Sequence, residues 1–309
     1  MTDAPARARA RPRLTVVSAC RDEAANVRPH YEELKAVLDR LPVDWTLLYV
    51  DDASADGTLG EIRALNAADP RVKTAVFSRP FGYHSALVAG LTLSDADLYA
   101  IMDVDGEEPP EMLARFHQEI AAGAATVYGI RSQRPEPRWL VFLRRLFYEI
   151  NGRIADGPTR LWMSEFSMFT REVRDAILDN RTTFPFLRAE LANVGLRMSG
   201  LDYVRRERRL GRSHYGLWGM ARFAVGGFLS SSTLPLRAAL YLSAAFAALY
   251  ALAVPLLRLS LVGAGALASV LGFVFLLLTV PMLALYLART YKNVTARPVF
   301  FLDRRSSLL

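Results

Sequence analysis

Two stretches without a charged side chain limit what this sequence can become. Residues 238–257 are 20 consecutive uncharged positions and residues 259–288 another 30, with Arg258 alone between them. Some twenty apolar residues rising about 1.5 Å each span about 30 Å, the thickness of a bilayer's hydrocarbon core. The pattern predicts a two-helix membrane hairpin within 236–288, with Pro255 and Pro281 near leg ends or at kinks. Charge-free legs offer water no polar face, which argues against a pair of core helices in a soluble bundle. Arg205, Arg206, Arg208, Arg209, Arg212, Arg222 and Arg237 precede the first leg, and Arg289, Lys292, Arg297, Arg304 and Arg305 follow the second. Cations retained at both ends predict a multi-pass protein of the cytoplasmic (inner) membrane, with 289–309 as a cytoplasmic C-terminal tail.

The rest of the chain is built differently. Residues 1–13 are Arg-rich with no apolar run, which predicts a disordered basic tail and not a signal peptide. One Cys and four scattered His exclude a disulfide framework and a zinc-finger cluster. Much of the net charge of +7 sits beside the hydrophobic legs, where membrane lipid headgroups or phosphate ligands explain it without nucleic acid. Strand-length apolar runs at 14–20, 45–50, 72–77, 98–102 and 126–130 alternate with helical periodicity at 27–41, 58–67, 83–93 and 110–122. This is an α/β series. It predicts a mostly parallel sheet flanked by helices over 14–213, with ligands at the carboxyl ends of the strands.

Those strand ends are acidic. The run at 45–50 leads into Asp51-Asp52-Ala53-Ser54-Ala55-Asp56-Gly57-Thr58, and the run at 98–102 into Asp103-Val104-Asp105-Gly106-Glu107-Glu108. Either segment alone reads equally as an Asp-rich turn and helix cap. Two at successive mouths of one sheet are costly through mutual repulsion unless a cation or donor-rich ligand sits among them. Asp103 and Asp105, one residue apart, can share Mg²⁺ or Mn²⁺ while leaving positions open for substrate phosphate oxygens.

Together with the first strand and its sequel, Val16 to Val27, and with Glu108-Pro109-Pro110-Glu111, these motifs resemble the family-2 inverting glycosyltransferases of the GT-A fold. The chain is most similar to the polyisoprenyl-phosphate glycosyltransferases, the group of bactoprenol glucosyltransferases and dolichol-phosphate mannose synthases. The segments Arg79 to Leu91, Ser232 to Arg237, Tyr286 to Tyr291 and Arg297-Pro298 carry the likeness through to about residue 302. The resemblance implies a GT-A, Rossmann-like catalytic domain on a C-terminal hairpin. It would move a sugar from a UDP- or GDP-type nucleotide sugar to a polyprenyl phosphate, with inversion and with Mg²⁺ or Mn²⁺. Undecaprenyl or decaprenyl phosphate is the acceptor implied for a bacterial chain, a source that the Ala/Arg-rich composition suggests. Ala19, Arg21, Glu23, Asp52, Ser54, Asp103 and Val104 would line the nucleotide-sugar pocket, and Asp103 and Asp105 would hold the metal. Arg131, Arg208, Ser213 and Tyr215 would bind phosphate or acceptor. Glu165, in Ser164-Glu165-Phe166-Ser167-Met168-Phe169, stands where the family carries its catalytic carboxylate. The resemblance also allows for a homo-oligomer.

The sequence departs from the family pattern in several places. Ala19, Arg21 and Asp22 replace Pro, Tyr and Asn, Tyr83 replaces a usual Lys, His214 stands where Lys is common, Glu165 is longer than the family's Asp, and Ser167 replaces an Arg. These changes leave the sugar and the nucleoside open. Because a lipid phosphate is largely dianionic near neutral pH, Glu165 need not be a strong base and can instead orient acceptor or sugar. Residues 137–154 and 217–229 have amphipathic spacing suited to the bilayer surface, the second within a juxtamembrane segment 214–235. Core packing remains open for the first. Two other functions stay open as well: transfer to another membrane lipid acceptor, and a non-catalytic, membrane-anchored nucleotide-binding scaffold.

Overall fold

In a computed structural model of the chain, residues 11–133, 163–180, 186–206, 233–295 and 297–309 are described. The strands are β1 (Arg13–Cys20), β2 (Asp44–Asp51), β3 (Val72–Val76), β4 (Leu98–Ile101), β5 (Thr126–Gln133), β6 (Met163–Thr170) and β7 (Met198–Val204). Helices α1 (Ala24–Leu38), α2 (Thr58–Ala68), α3 (Tyr83–Leu93) and α4 (Met112–Ala121) lie between the first five strands, within three residues of the spacing-based expectation at every end. Helices α5 (Arg171–Asp179) and α6 (Leu187–Asn193) follow β6, and α7 (Leu234–Leu256) and α8 (Leu261–Val294) close the series. The segments 137–154 and 217–229, and Arg208, Ser213 and Tyr215, lie outside the described residues.

The seven strands form one sheet in the order β3-β2-β1-β4-β6-β5-β7. β1 pairs in parallel with β2 and β4, β2 with β3, and β5 with β7, while β6 runs antiparallel to both β4 and β5. Alternation along each strand divides the core between the two faces. Leu14, Val16, Leu47 and Tyr49 pack with Val27, Leu34, Ile62 and Phe116 of α1, α2 and α4 on one face. Val17, Leu48 and Val50 pack with Leu87, Leu91, Val173 and Leu187 of α3, α5 and α6 on the other. Helix α3 lies close over β1 because Gly90 has no side chain, and a Cβ there would overlap Val17.

Helices α7 and α8 are long and apolar enough to cross a membrane. Leu240, Leu252, Leu261, Phe273 and Leu287 along them are 64 to 94 % exposed, an apolar surface suited to lipid and not to water. Pro255 sits in the last turn of α7, and α8 continues through Pro281 for 34 residues, about 50 Å, so its final turns carry Arg289 and Lys292 beyond a core about 30 Å thick. The chain after α8 does not stand apart as a separate tail. It returns to the sheet, where Leu308 bridges Thr74 and Leu302 bridges Phe77 in antiparallel sense. The domain before the hairpin and the segment after it are thus in contact.

Candidate active site

Strand order reverses between β1 and β4, and the crevice beyond their carboxyl ends is where an open α/β sheet binds ligands. Three loops meet there. The β1 and β2 loops are laced together: the Asp22 amide donates to Ser54 Oγ (2.9 Å), the Ala55 amide to Asp22 Oδ1 (2.8 Å), the Glu23 amide to Thr58 Oγ1 (2.9 Å) and the Ala24 amide to Asp56 Oδ2 (3.1 Å). Asp51 accepts from the Ser54 amide and hydroxyl, and Asp56 from those of Thr58. Asp51 and Asp56 therefore act as turn-closing carboxylates, the plainer of the two readings of that acidic segment. Asp22 and Ala53 have φ of 55° and 56°, and for Ala53 this left-handed backbone costs about 1 kcal/mol, supplied by the surrounding loop contacts.

Asp52 is buried, and both of its oxygens are engaged. Oδ1 accepts from the Phe81 amide at 2.6 Å and Oδ2 from the Gly82 amide at 3.0 Å, tying the β2 loop to the turn before α3. Gly82 takes φ of 95°, a conformation L side chains rarely adopt, and this turn aims Tyr83 at the third loop. The Tyr83 hydroxyl donates to Asp103 Oδ1 at 2.6 Å.

The third loop and β6 hold most of the charge. β4 pairs with β6 so that Ile101 opposes Ser167, and continuing that register by two residues sets Glu165 opposite Asp103. Glu165 is thus on an interior strand and buried, not on a sheet edge. Its Oε1 accepts from Arg188 Nε of α6 at 2.8 Å, while its Oε2 is buried with no hydrogen-bond partner among the described residues. Glu108 is also buried, accepting from the Asp103 amide at 3.2 Å through Oε2, with Oε1 3.7 Å from Arg131. Asp105 Oδ1 accepts from the Glu107 amide at 3.1 Å. Burial, then the charge of Asp105, pushes Asp103 up to about 6, although the Tyr83 hydrogen bond and Arg131 act in the other direction. Burial and the charge of Asp103 raise Glu108 well above the usual carboxylate range. Burial works against the Arg131 guanidinium, but Tyr203, Glu108 and Asp103 outweigh it and hold the cation charged. Arg131 Nε donates to Tyr203 Oη at 3.0 Å.

Asp103 and Glu108 thus share the guanidinium of Arg131, Glu165 pairs with Arg188, and Asp105 adds its charge beside Asp103. The excess of buried acid, with one oxygen each of Glu108 and Glu165 lacking a hydrogen bond among the described residues, suits a hard divalent cation and a ligand rich in donors. Among the described residues no three Asp, Glu, His or Cys side chains form a ready metal cage.

Of the sequence-predicted residues, the structure brings Asp103, Asp105, Arg131 and Glu165 together, and it places Ala19, Arg21, Glu23, Asp52 and Ser54 in or beside the laced loops. The Val104 side chain turns into the core. Of the cations counted from sequence before the hairpin, Arg205 pairs with Glu107 of the acidic loop, and Arg206 with Glu33 of α1 (3.1 Å) and Glu111 ahead of α4 (3.0 Å). Sequence reasoning assigned no role to Tyr83, Glu108 or Arg188. Tyr83 had a signal, as a departure from the family pattern, and Glu108 had one in its acidic run, whereas nothing in the local sequence marks Arg188.

A switch-point crevice lined by acidic loops, in a mostly parallel seven-stranded sheet, is the architecture expected of the GT-A class. The sequence profile of "Glycosyl transferase family 2" matches residues 15–192. The chain belongs to that family, and it is a glycosyltransferase. It is 33 % identical over 215 residues to the bactoprenol glucosyl transferase of Shigella phage SfX, covering 69 % of this chain and 68 % of that one. It is 27 % identical over 293 residues to "Uncharacterized glycosyltransferase YkcC" of Bacillus subtilis (strain 168), covering 92 % and 91 %. Among solved structures, glucosyl-3-phosphoglycerate synthase from Mycobacterium tuberculosis, in complex with Mn²⁺, UDP-glucose and phosphoglyceric acid, shares the fold, with a TM-score of 0.52 and 20 % identity over 71 % of this chain and 79 % of that one.

Proposed function

We propose that this chain transfers one hexose from a nucleoside-diphosphate sugar to a polyprenyl phosphate, with inversion, at the cytoplasmic face of the membrane. The observation that carries the reading is the cluster of Asp103, Asp105, Glu108 and Glu165 at the strand mouth, opposed by Arg131 and Arg188. The relatives named bactoprenol glucosyl transferases support a polyprenyl phosphate acceptor, and the apolar hairpin supports an acceptor met at a membrane. Arg237, Arg289, Lys292, Arg297, Arg304 and Arg305 at the base of the hairpin, against Arg258 alone in its turn, support the cytoplasmic face.

In this reading an acceptor phosphate oxygen attacks the anomeric carbon on the face opposite the departing nucleoside diphosphate. Asp103 and Asp105 would hold Mg²⁺ or Mn²⁺, which supplies charge neutralisation for the diphosphate as it leaves. Arg131 would bind a phosphate near these carboxylates, and the β1 and β2 loops would frame the nucleoside. Glu165, held at one oxygen by Arg188, offers its other oxygen to a sugar hydroxyl or to the acceptor. Donor turnover tests the reading: with Mn²⁺, the detergent-purified chain should slowly hydrolyse one member of a panel of UDP-, GDP- and dTDP-sugars without acceptor. Asp105→Asn should lose that hydrolysis. A folded wild-type chain that hydrolyses no donor, with or without polyprenyl phosphate, would count against it.

A further inference from the structure

After α8 ends at Val294 the chain runs back along the outer edge of β3. Thr74 and Leu308 exchange both backbone hydrogen bonds (2.9 and 2.8 Å), the Asp303 amide donates to the Val76 carbonyl (2.8 Å), and Ser307 Oγ accepts from the Val76 amide (2.9 Å). Covering an open strand edge is one use of such a segment. Here the pairing continues past the end of β3. The Ser78 amide donates to the Phe301 carbonyl at 2.9 Å, the Phe300 ring stacks on Phe77 with centroids 5.4 Å apart, and the Phe301 ring lies 6.1 Å from that of Phe81. Residues 78–82 are the turn whose amides Asp52 holds, and they lead straight into Tyr83, the donor to Asp103. A continuous set of contacts therefore runs from Phe300 and Phe301 to the acidic loop. The link to the hairpin is short: five residues separate Val294 from Phe300, six steps with a reach of at most about 21 Å.

We propose that the C-terminal segment is a positioning element for the sugar-nucleotide site. Phe300 and Phe301, acting through Phe77, Phe81 and the Ser78 amide, hold the turn in the geometry that lets Asp52 receive both amides and Tyr83 reach Asp103. The site is complete only with the segment docked, which couples donor binding to the seating of the hairpin. This rests on the reading of the Asp103–Asp105 loop as the donor site, and the test separates the two.

The full-length chain in detergent is compared with Phe300→Ala/Phe301→Ala and with Ser307→Ala, a control that loosens edge pairing away from the turn. Hydrogen exchange is followed in peptides spanning 78–90, and the dissociation constants of UDP and GDP with Mn²⁺ are measured well below each unfolding midpoint. The double variant is expected to lose protection at 78–83 and to bind nucleotide about tenfold more weakly, within the range for coupling through packed contacts. Ser307→Ala should leave both within about twofold, and Phe300→Leu/Phe301→Leu should restore part of each effect. Unchanged protection at 78–83 in the double variant overturns the proposal, whatever happens to the unfolding midpoint. So does lost protection with nucleotide affinity intact. If the wild-type chain binds no nucleotide, the donor-site reading fails, and the exchange data still decide whether the segment positions the turn.

Discussion

The family resemblance assigns Asp52 to the nucleoside, whereas the structure has both its oxygens occupied by the Phe81 and Gly82 amides, and the two roles predict different behaviour on substitution. Hydrogen bonds to an ionised group contribute about 1.5–3 kcal/mol each. Two of them give a gross figure of about 3–6 kcal/mol, and because the freed amides can recover water near the crevice, Asp52→Ala should cost about 3 kcal/mol net. For a domain of this size each kcal/mol shifts the midpoint by about 2–4 °C, so the unfolding transition in detergent should fall by about 6–12 °C. Asp52→Asn keeps one acceptor but turns an amide donor towards a backbone N–H, and should fall nearly as far. Differential scanning fluorimetry with and without nucleotide reads the effect. The latch requires a large drop in the ligand-free protein. A midpoint within 2 °C of wild type, with nucleotide affinity lost, would refute the latch and return Asp52 to a direct contact with nucleoside.

Other predictions follow from the charged cluster. Asp103 has its folded pKa raised to about 6 against an ordinary value near 4, so the folded state holds the extra proton and its contribution to stability is present below about pH 4 and lost as pH rises through about 6. The ligand-free midpoint should fall across that window, and Mn²⁺ with a nucleoside diphosphate should flatten the fall; a midpoint that instead rises across the window contradicts the placement of Asp103. Arg188 fixes one oxygen of Glu165 in a largely buried pair, and Arg188→Ala should reduce kcat by about 10- to 100-fold with nucleotide affinity near wild type. Partial recovery in Arg188→Lys is expected, and an effect confined to donor affinity would place Arg188 elsewhere in the mechanism.

How far the sequence was legible depended on how local each feature is. The first five strands and four helices follow from periodicity, because each buries a face that its own residues define. β6 gives no such signal. It lies between β4 and β5, Met163 to Phe169 are all buried, and polar Ser164, Glu165 and Ser167 sit in the same run as Phe166 and Met168. The pairing of the C-terminal segment with β3 joins residues more than 200 positions apart, and its energetic logic lies in an edge that only the folded sheet possesses. Site residues divide the same way. Asp103 and Asp105 stand out through spacing alone, while Arg188 matters only because α6 folds against β6. Asp52 was legible as a carboxylate at a strand mouth, but its partners were not, since the amides that donate to it belong to a loop about thirty residues further along.

Sugar transfer to a lipid phosphate is tested most directly by mass spectrometry of the lipid fraction. Detergent-purified protein would be incubated with polyprenyl phosphate, Mg²⁺ or Mn²⁺ and the donor panel, beside an Asp105→Asn control. A metal-dependent product heavier than the polyprenyl phosphate by one hexose residue, absent from the control, is the predicted result. A folded wild-type protein that consumes donor and leaves the polyprenyl phosphate unmodified would contradict it.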